Sequence, residues 1–173
     1  YGNTAVLATA VMSARTRDDI DYFPLTVDYE ERFYAAGIVG GSRFVRREGR
    51  PSEGAILSGR VVDRTIRPLF PQHIRNEVQV VITVLALDEE DPDMVAVNAA
   101  SLALATSNIP WAGPVASVRI GFLSPQQRSV AEPATSETFA QGSSTTAGFV
   151  VNPTYAQREN AYLDILACGK DSN

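Results

Sequence analysis

The sequence predicts a domain that mixes β-strands with α-helices, and three stretches predict it. Residues 77–87 (EVQVVITVLAL) are rich in β-branched side chains and apolar on both faces in their second half, the pattern of a central strand. Residues 52–67 follow Pro51, carry apolar side chains at helical spacing and stop before Pro68. Residues 94–107 predict a second helix rich in small residues (Ala96, Ala99, Ala100, Ala103, Ala105), one that can approach a neighbour closely in the core. Along the chain these elements alternate strand, strand, helix, with no short-period repeat.

Taken in order, residues 4–13 (TAVLATAVMS) form a first strand. The polar stretch 14–21, with Arg15, Arg17, Asp18, Asp19 and Asp21, reads as a solvated hairpin loop rather than a metal site, since nothing else converges on its aspartates. Residues 23–29 (FPLTVDY) alternate and read as the returning strand, which residues 30–36 continue or bend away from. Gly37, Gly40 and Gly41 give a flexible approach to an arginine-rich turn. Ser52 is positioned to cap the first helix, with Glu53 in its first turn. Apolar side chains at 55, 56, 57, 61, 62 and 66 cover most of that helix, which predicts a largely buried rod with one arginine edge. Asp63 is spaced to meet Arg60 or Arg67.

After the central strand, the acidic turn 88–93 (DEEDPD) reads as an exposed loop in which Asp91 caps the second helix and Pro92 opens it. Asn108, Ile109 and Pro110 end that helix. Residues 115–122 are a further strand, and 161–167 the last, with a polar connection at 154–159. Between 124 and 148 Ser, Thr, Ala, Gln and Gly dominate, and a poorly ordered surface insertion is expected.

Length and composition fit one soluble globular domain with a sizeable core. No run approaches the roughly 18–20 apolar residues of a membrane span, and no signal-peptide pattern is present. The chain starts at Tyr1 without an initiator Met and ends just after an apolar run, so it reads as a piece of a longer polypeptide. A single cysteine, Cys168, and a single histidine, His73, exclude an intrachain disulfide and argue against a Cys/His zinc site. Neither stands in a nucleophile motif: Cys168 reads as a buried structural thiol and His73 as a loop residue.

The charge pattern carries the functional signal. The net charge is −5, yet between Arg43 and Arg67 seven arginines face three acids, Glu48, Glu53 and Asp63. Lys170 is the only lysine, so the basic cluster is made of arginine, whose planar fork suits phosphate oxygens and stacks on bases. A basic stretch in an acidic chain points to one charged site, not a diffuse affinity for polyanions. One reading is a single-stranded nucleic-acid site, with Phe44 offering a stacking face and Arg46, Arg47 and Arg50 meeting the backbone. The other pairs these arginines with Glu48, Glu53 and Asp63 to brace an interface, and the two carry equal weight for Arg46, Arg47 and Arg50. For Arg60, Arg64 and Arg67, one stripe of the helix, pairing with nearby acids is favoured. Phe44 taken alone reads as core or interface. The chain has no G-x-x-x-x-G-K-[ST], G-x-S-x-G, H-E-x-x-H or C-x-x-C, and Gly37 to Gly41 lacks nucleotide-loop spacing.

The string Phe44-Val45-Arg46-Arg47-Glu48-Gly49-Arg50-Pro51-Ser52-Glu53, followed by Val62-Asp63-Arg64-Thr65-Ile66-Arg67-Pro68-Leu69-Phe70-Pro71, resembles the bacterial polynucleotide phosphorylase family, within it the first of two RNase PH-like core domains. The stretches 22–29, 76–80 and 109–115 support the resemblance in the same order, and it runs from about residue 4 to the end apart from 124–148. It implies an α+β, RNase PH-like fold (of the ribosomal protein S5 domain 2-like kind) with mixed sheets and packed helices. It also implies that residues 1–173 are one core domain, incomplete at both ends.

The activity implied is 3′→5′ degradation of single-stranded RNA by phosphorolysis, in mRNA turnover. Inorganic phosphate attacks, nucleoside diphosphates leave, and Mg2+ assists. The implied setting is a cytoplasmic homotrimeric ring with RNA-degradation partners and no membrane attachment. In the family the phosphate- and metal-holding residues lie in the second core domain, so no catalytic or metal-binding residue is expected in this segment. What carries over is the family's Phe-Phe-Arg-Arg loop, which grips incoming RNA and reads here Phe44, Val45, Arg46, Arg47. Val45 removes one stacking face, and Arg43 adds a charge just before the loop. Arg50 joins the expected RNA contacts, and Arg60, Arg64 and Arg67 are candidates for phosphate or structural roles. Two alternatives remain at this point. One is a standalone RNase PH-type phosphorolytic exoribonuclease, against which the Arg-Pro-Ser-Glu string argues. The other is a non-catalytic, exosome-like RNA-binding ring subunit.

Overall fold

The computed structural model describes residues 1–17, 19–38, 50–123, 148–159 and 161–170. Strand β1 (Ala5–Thr16) leads to β2 (Leu25–Glu31), helix α1 (Glu53–Ile66), β3 (Asn76–Ala86), helix α2 (Pro92–Ala105), β4 (Ala116–Leu123), β5 (Gly148–Val151), a short helix α3 (Tyr155–Arg158) and β6 (Leu163–Gly169). The strands make two three-stranded sheets, in the orders β1-β3-β2 and β5-β4-β6.

The first sheet corrects one expectation. β1 and β2 do not form a hairpin, because β3 lies between them, antiparallel to β1 and parallel to β2. The physical reason is the character of β3. Its Val78, Val80, Ile82 and Val84 are all buried, and a strand this apolar is most stable with a partner on each edge. A parallel β2–β3 pair needs a crossover, and α1 supplies it. The register sets Leu25 opposite Val78, Val27 opposite Val80, Tyr29 opposite Ile82 and Glu31 opposite Val84. Leu25, Val27 and Tyr29 therefore face inward, and Glu31 is the last inward position, at the exposed rim.

The core joins Val62 and Ile66 of α1 and Ala96, Val97, Ala100 and Leu104 of α2 to the inner face of the first sheet. α2 also packs against β4, so it stands between the two sheets, and its alanines permit that double contact. Both helices start as their sequences predict. The Ala55 N–H donates to Ser52 Oγ (2.9 Å), and the Asp93 N–H donates to Asp91 Oδ1 (3.0 Å) with Pro92 in the first turn. α1 ends at Ile66 and tightens into a 3-10 turn through Pro68, and the Trp111 indole N–H donates to the Ile66 carbonyl (3.2 Å).

Three further expectations need correction. α1 is not buried most of the way round: Ile56 and Leu57 are 51% and 61% exposed, because only the Ala55, Gly59, Val62, Ile66 line meets the sheet. Cys168 is exposed, since β6 is an edge strand. Gly148, expected at the end of the polar insertion, opens β5 and pairs with Leu123 of β4. The expected insertion otherwise lies outside the described residues, which resume at Gly148. No helix of the described residues is long and apolar enough to cross a membrane.

Candidate functional site

The site is built where β2 ends and α1 begins. Of the arginine-rich stretch, Arg43, Phe44, Arg46 and Arg47 lie outside the described residues, and Arg50 is the first that the structure places. Arg50 is exposed, two residues before the α1 cap. It borders two clefts. One, of about 490 Å3, is lined by Phe33, Ala35, Val84, Leu87 and Pro92, and the other, of about 300 Å3, lies between β2 and the first turns of α1. The larger cleft sets an apolar floor beside the Arg50 guanidinium and the Glu31 carboxylate.

The three arginines of α1 diverge. Arg67 is turned back into the fold. Its Nη2 is 2.6 Å from Asp63 Oδ1, its Nε donates to both Asp63 oxygens (3.1 Å each), and Nη1 and Nη2 reach the carbonyls of Phe23 (3.4 Å) and Leu25 (3.1 Å). It thereby ties the end of α1 to the start of β2. Arg60 and Arg64 sit one turn apart on the exposed side, and among the described residues neither forms an ion pair. Asp63, spaced to meet Arg60 or Arg67, is committed to Arg67. Among the described residues, no ion pair neutralises Arg50, Arg60 or Arg64.

Sequence reasoning missed the contact at the foot of this face. Ser52 Oγ accepts from the Ala55 N–H and also donates to Glu31 Oε2 at 2.7 Å, across 21 residues of sequence. Nothing local announces that pairing; it follows only once β2 and α1 are docked with Glu31 at the rim. Arg32 pairs with Glu30, two residues away.

Among the described residues no group of three or more His, Cys, Asp or Glu side chains could hold a metal ion. Asp19 pairs with Arg17 at 3.4 Å in the open. Asp91 is spent on capping α2 and on an ion network. Its Oδ2 lies 2.5 Å from Arg119 Nε and 3.8 Å from Arg158, and both arginines also meet Asp164 at 2.9 Å. Burial pushes the Asp91 carboxyl up, against the pull of the two guanidiniums. The carboxylates of the described residues do not fit a Mg2+ site.

Residues 1–110 match the model of the 3′ exoribonuclease family, domain 1. The chain is 46% identical over 169 residues to the polyribonucleotide nucleotidyltransferase of Microcystis aeruginosa, covering 97% of this chain and 20% of the relative. It is 47% identical over 172 residues to the enzyme of the same name from Desulforamulus reducens, covering 99% and 20%. The chain thus spans about a fifth of the length of the curated relatives it matches. Among solved structures, rice Rrp46 aligns with 99% of this chain and 72% of its own at a TM-score of 0.62 and 13% identity. An Archaeoglobus fulgidus exosome with RNA bound to the active site aligns with 99% and 69% at a TM-score of 0.59 and 18% identity.

Proposed function

The chain belongs to the 3′ exoribonuclease family, domain 1, with an RNase PH-like fold, and from that premise we propose that it is the RNA-gripping first core domain of a polyribonucleotide nucleotidyltransferase. The observation that carries the proposal is identity near 46% to such enzymes over almost the whole chain. The exposed Arg50, Arg60 and Arg64 support it, since an acidic chain keeps these cations without ion-pair partners among the described residues.

In this reading Arg46, Arg47 and Arg50 meet the phosphates of single-stranded RNA and Phe44 stacks on a base, while Arg60 and Arg64 extend the basic track along α1. Arg43 adds to the local field, and Arg67 holds the track in place. The whole enzyme degrades RNA from its 3′ end by phosphorolysis, releasing nucleoside diphosphates, as a cytoplasmic homotrimer in mRNA turnover. Inorganic phosphate is the attacking co-substrate. Mg2+, which would neutralise charge at the transferring phosphoryl group, is held by parts of the enzyme other than this chain. The contribution of this domain is guidance of RNA and assembly of the ring.

The test is the double variant Arg46→Glu, Arg47→Glu in the complete enzyme. Single-stranded RNA binding should weaken, and each lost phosphate contact should flatten the slope of log affinity against log salt by about 0.7. Unchanged affinity and slope would assign these arginines to structure.

A further inference from the structure

Arg50 is the first described residue after 39–49, and the described elements on either side of that stretch are tied to the first sheet. On the N-terminal side, the 3-10 turn Phe33–Ala36 is anchored where the Leu87 N–H donates to the Ala35 carbonyl (2.9 Å), just past the end of β3. On the C-terminal side, two residues after Arg50, the tie is the side-chain bond from Ser52 Oγ to Glu31 Oε2 (2.7 Å). The Ser52 hydroxyl has one proton, and it goes to Glu31; one of its lone pairs takes the Ala55 N–H. The two bonds together fix the rotor. Glu31 is the inward-facing end of β2, in register with Val84, so its carboxylate is aimed at the helix start by the sheet.

A carboxylate beside an RNA-binding guanidinium works against the field that attracts phosphate, and Glu31 lines both clefts that Arg50 borders. An acid placed there needs a role that outweighs its charge. We propose that Glu31 is a positioning residue for RNA binding. Through Ser52 it fixes where Arg50 and the first turn of α1 stand relative to β2, and so the start of the basic track. The proposal rests on the RNA-gripping role argued above.

The sign of one substitution tests it. Glu31→Ala removes a negative charge from the basic face, so electrostatics alone makes RNA bind more tightly. Loss of positioning makes it bind more weakly, by roughly threefold to tenfold for one lost hydrogen bond. Glu31→Gln keeps the acceptor for the Ser52 hydroxyl and drops the charge, so it should bind at least as tightly as the parent. Single-stranded RNA affinity of the complete enzyme would be measured for both, with the thermal midpoint as a check that each is folded. Weaker binding by Glu31→Ala together with parental or tighter binding by Glu31→Gln is the expected result. Equal or tighter binding by Glu31→Ala would overturn the proposal, and so would equal weakening by both. Parallel measurement of Arg46→Glu, Arg47→Glu separates the two readings: if that variant binds RNA as the parent does, the gripping role itself fails.

Discussion

Tyr29 places a phenolic hydroxyl where water does not reach it. The residue is 4% exposed, and its hydroxyl finds no hydrogen-bond partner among the described residues. Burial, then the neighbouring Asp93 carboxylate, pushes its pKa up from the ordinary 10.0. A folded-state value raised above the unfolded one means that stability tied to the neutral phenol is fully present below about pH 10. It is lost as pH climbs beyond that toward the folded value. Tyr29→Phe keeps the ring and removes the hydroxyl. Its unfolding free energy from urea curves should match the parent within about 1 kcal/mol near neutrality and fall less steeply between roughly pH 9 and 11. Parallel decline of the two proteins would show that the phenol is not what titrates.

Helix α1 is where a pattern in the sequence and its fate in the fold can be compared position by position. Its cap, its stop and the arginine stripe are local features, set by one or two side chains and the helical repeat, and these are legible in the sequence. So is the central place of β3, from its β-branched run. The exposure of Ile56 and Leu57 is not legible there, because helical spacing shows which residues share a face but not which faces find a partner. The strand order is not legible either: β1 and β2 are near in sequence and alternate well, yet the greater apolarity of β3 takes the place between them. The split among the three arginines depends on the Phe23 and Leu25 carbonyls, 44 and 42 residues away from Arg67, a distance no spacing rule reaches.

That split gives a paired prediction. Arg60→Glu with Arg64→Glu should leave the urea midpoint of the protein near the parental one and weaken RNA binding. Arg67→Met should cost about 1–3 kcal/mol in stability by freeing Asp63 and two carbonyls. Denaturant curves and RNA titrations on both variants check it; equal loss of stability in both would erase the distinction between track and brace.

At the scale of the molecule, two sheets share one helix. α2 buries one face on the first sheet and meets β4 with another, and the network of Asp91, Arg119, Arg158 and Asp164 ties its N-terminus to the second sheet. The Arg119 side chain is only 11% exposed, so the network is a held contact rather than a surface pairing. No part of this framework converges carboxylates for a metal among the described residues, while one face collects unneutralised arginines. In the reading proposed above, this scaffold guides RNA, and the relatives it matches are about five times its length.

The most direct test uses the 173-residue chain by itself, once circular dichroism shows it folded. It would be incubated with single-stranded RNA, magnesium and inorganic phosphate, and both RNA binding and nucleoside diphosphate release would be followed. Salt-sensitive RNA binding without nucleoside diphosphates, beside an active complete enzyme, is the predicted result. Phosphate-dependent release of nucleoside diphosphates would contradict the account, because it would place a complete phosphorolytic site within this chain.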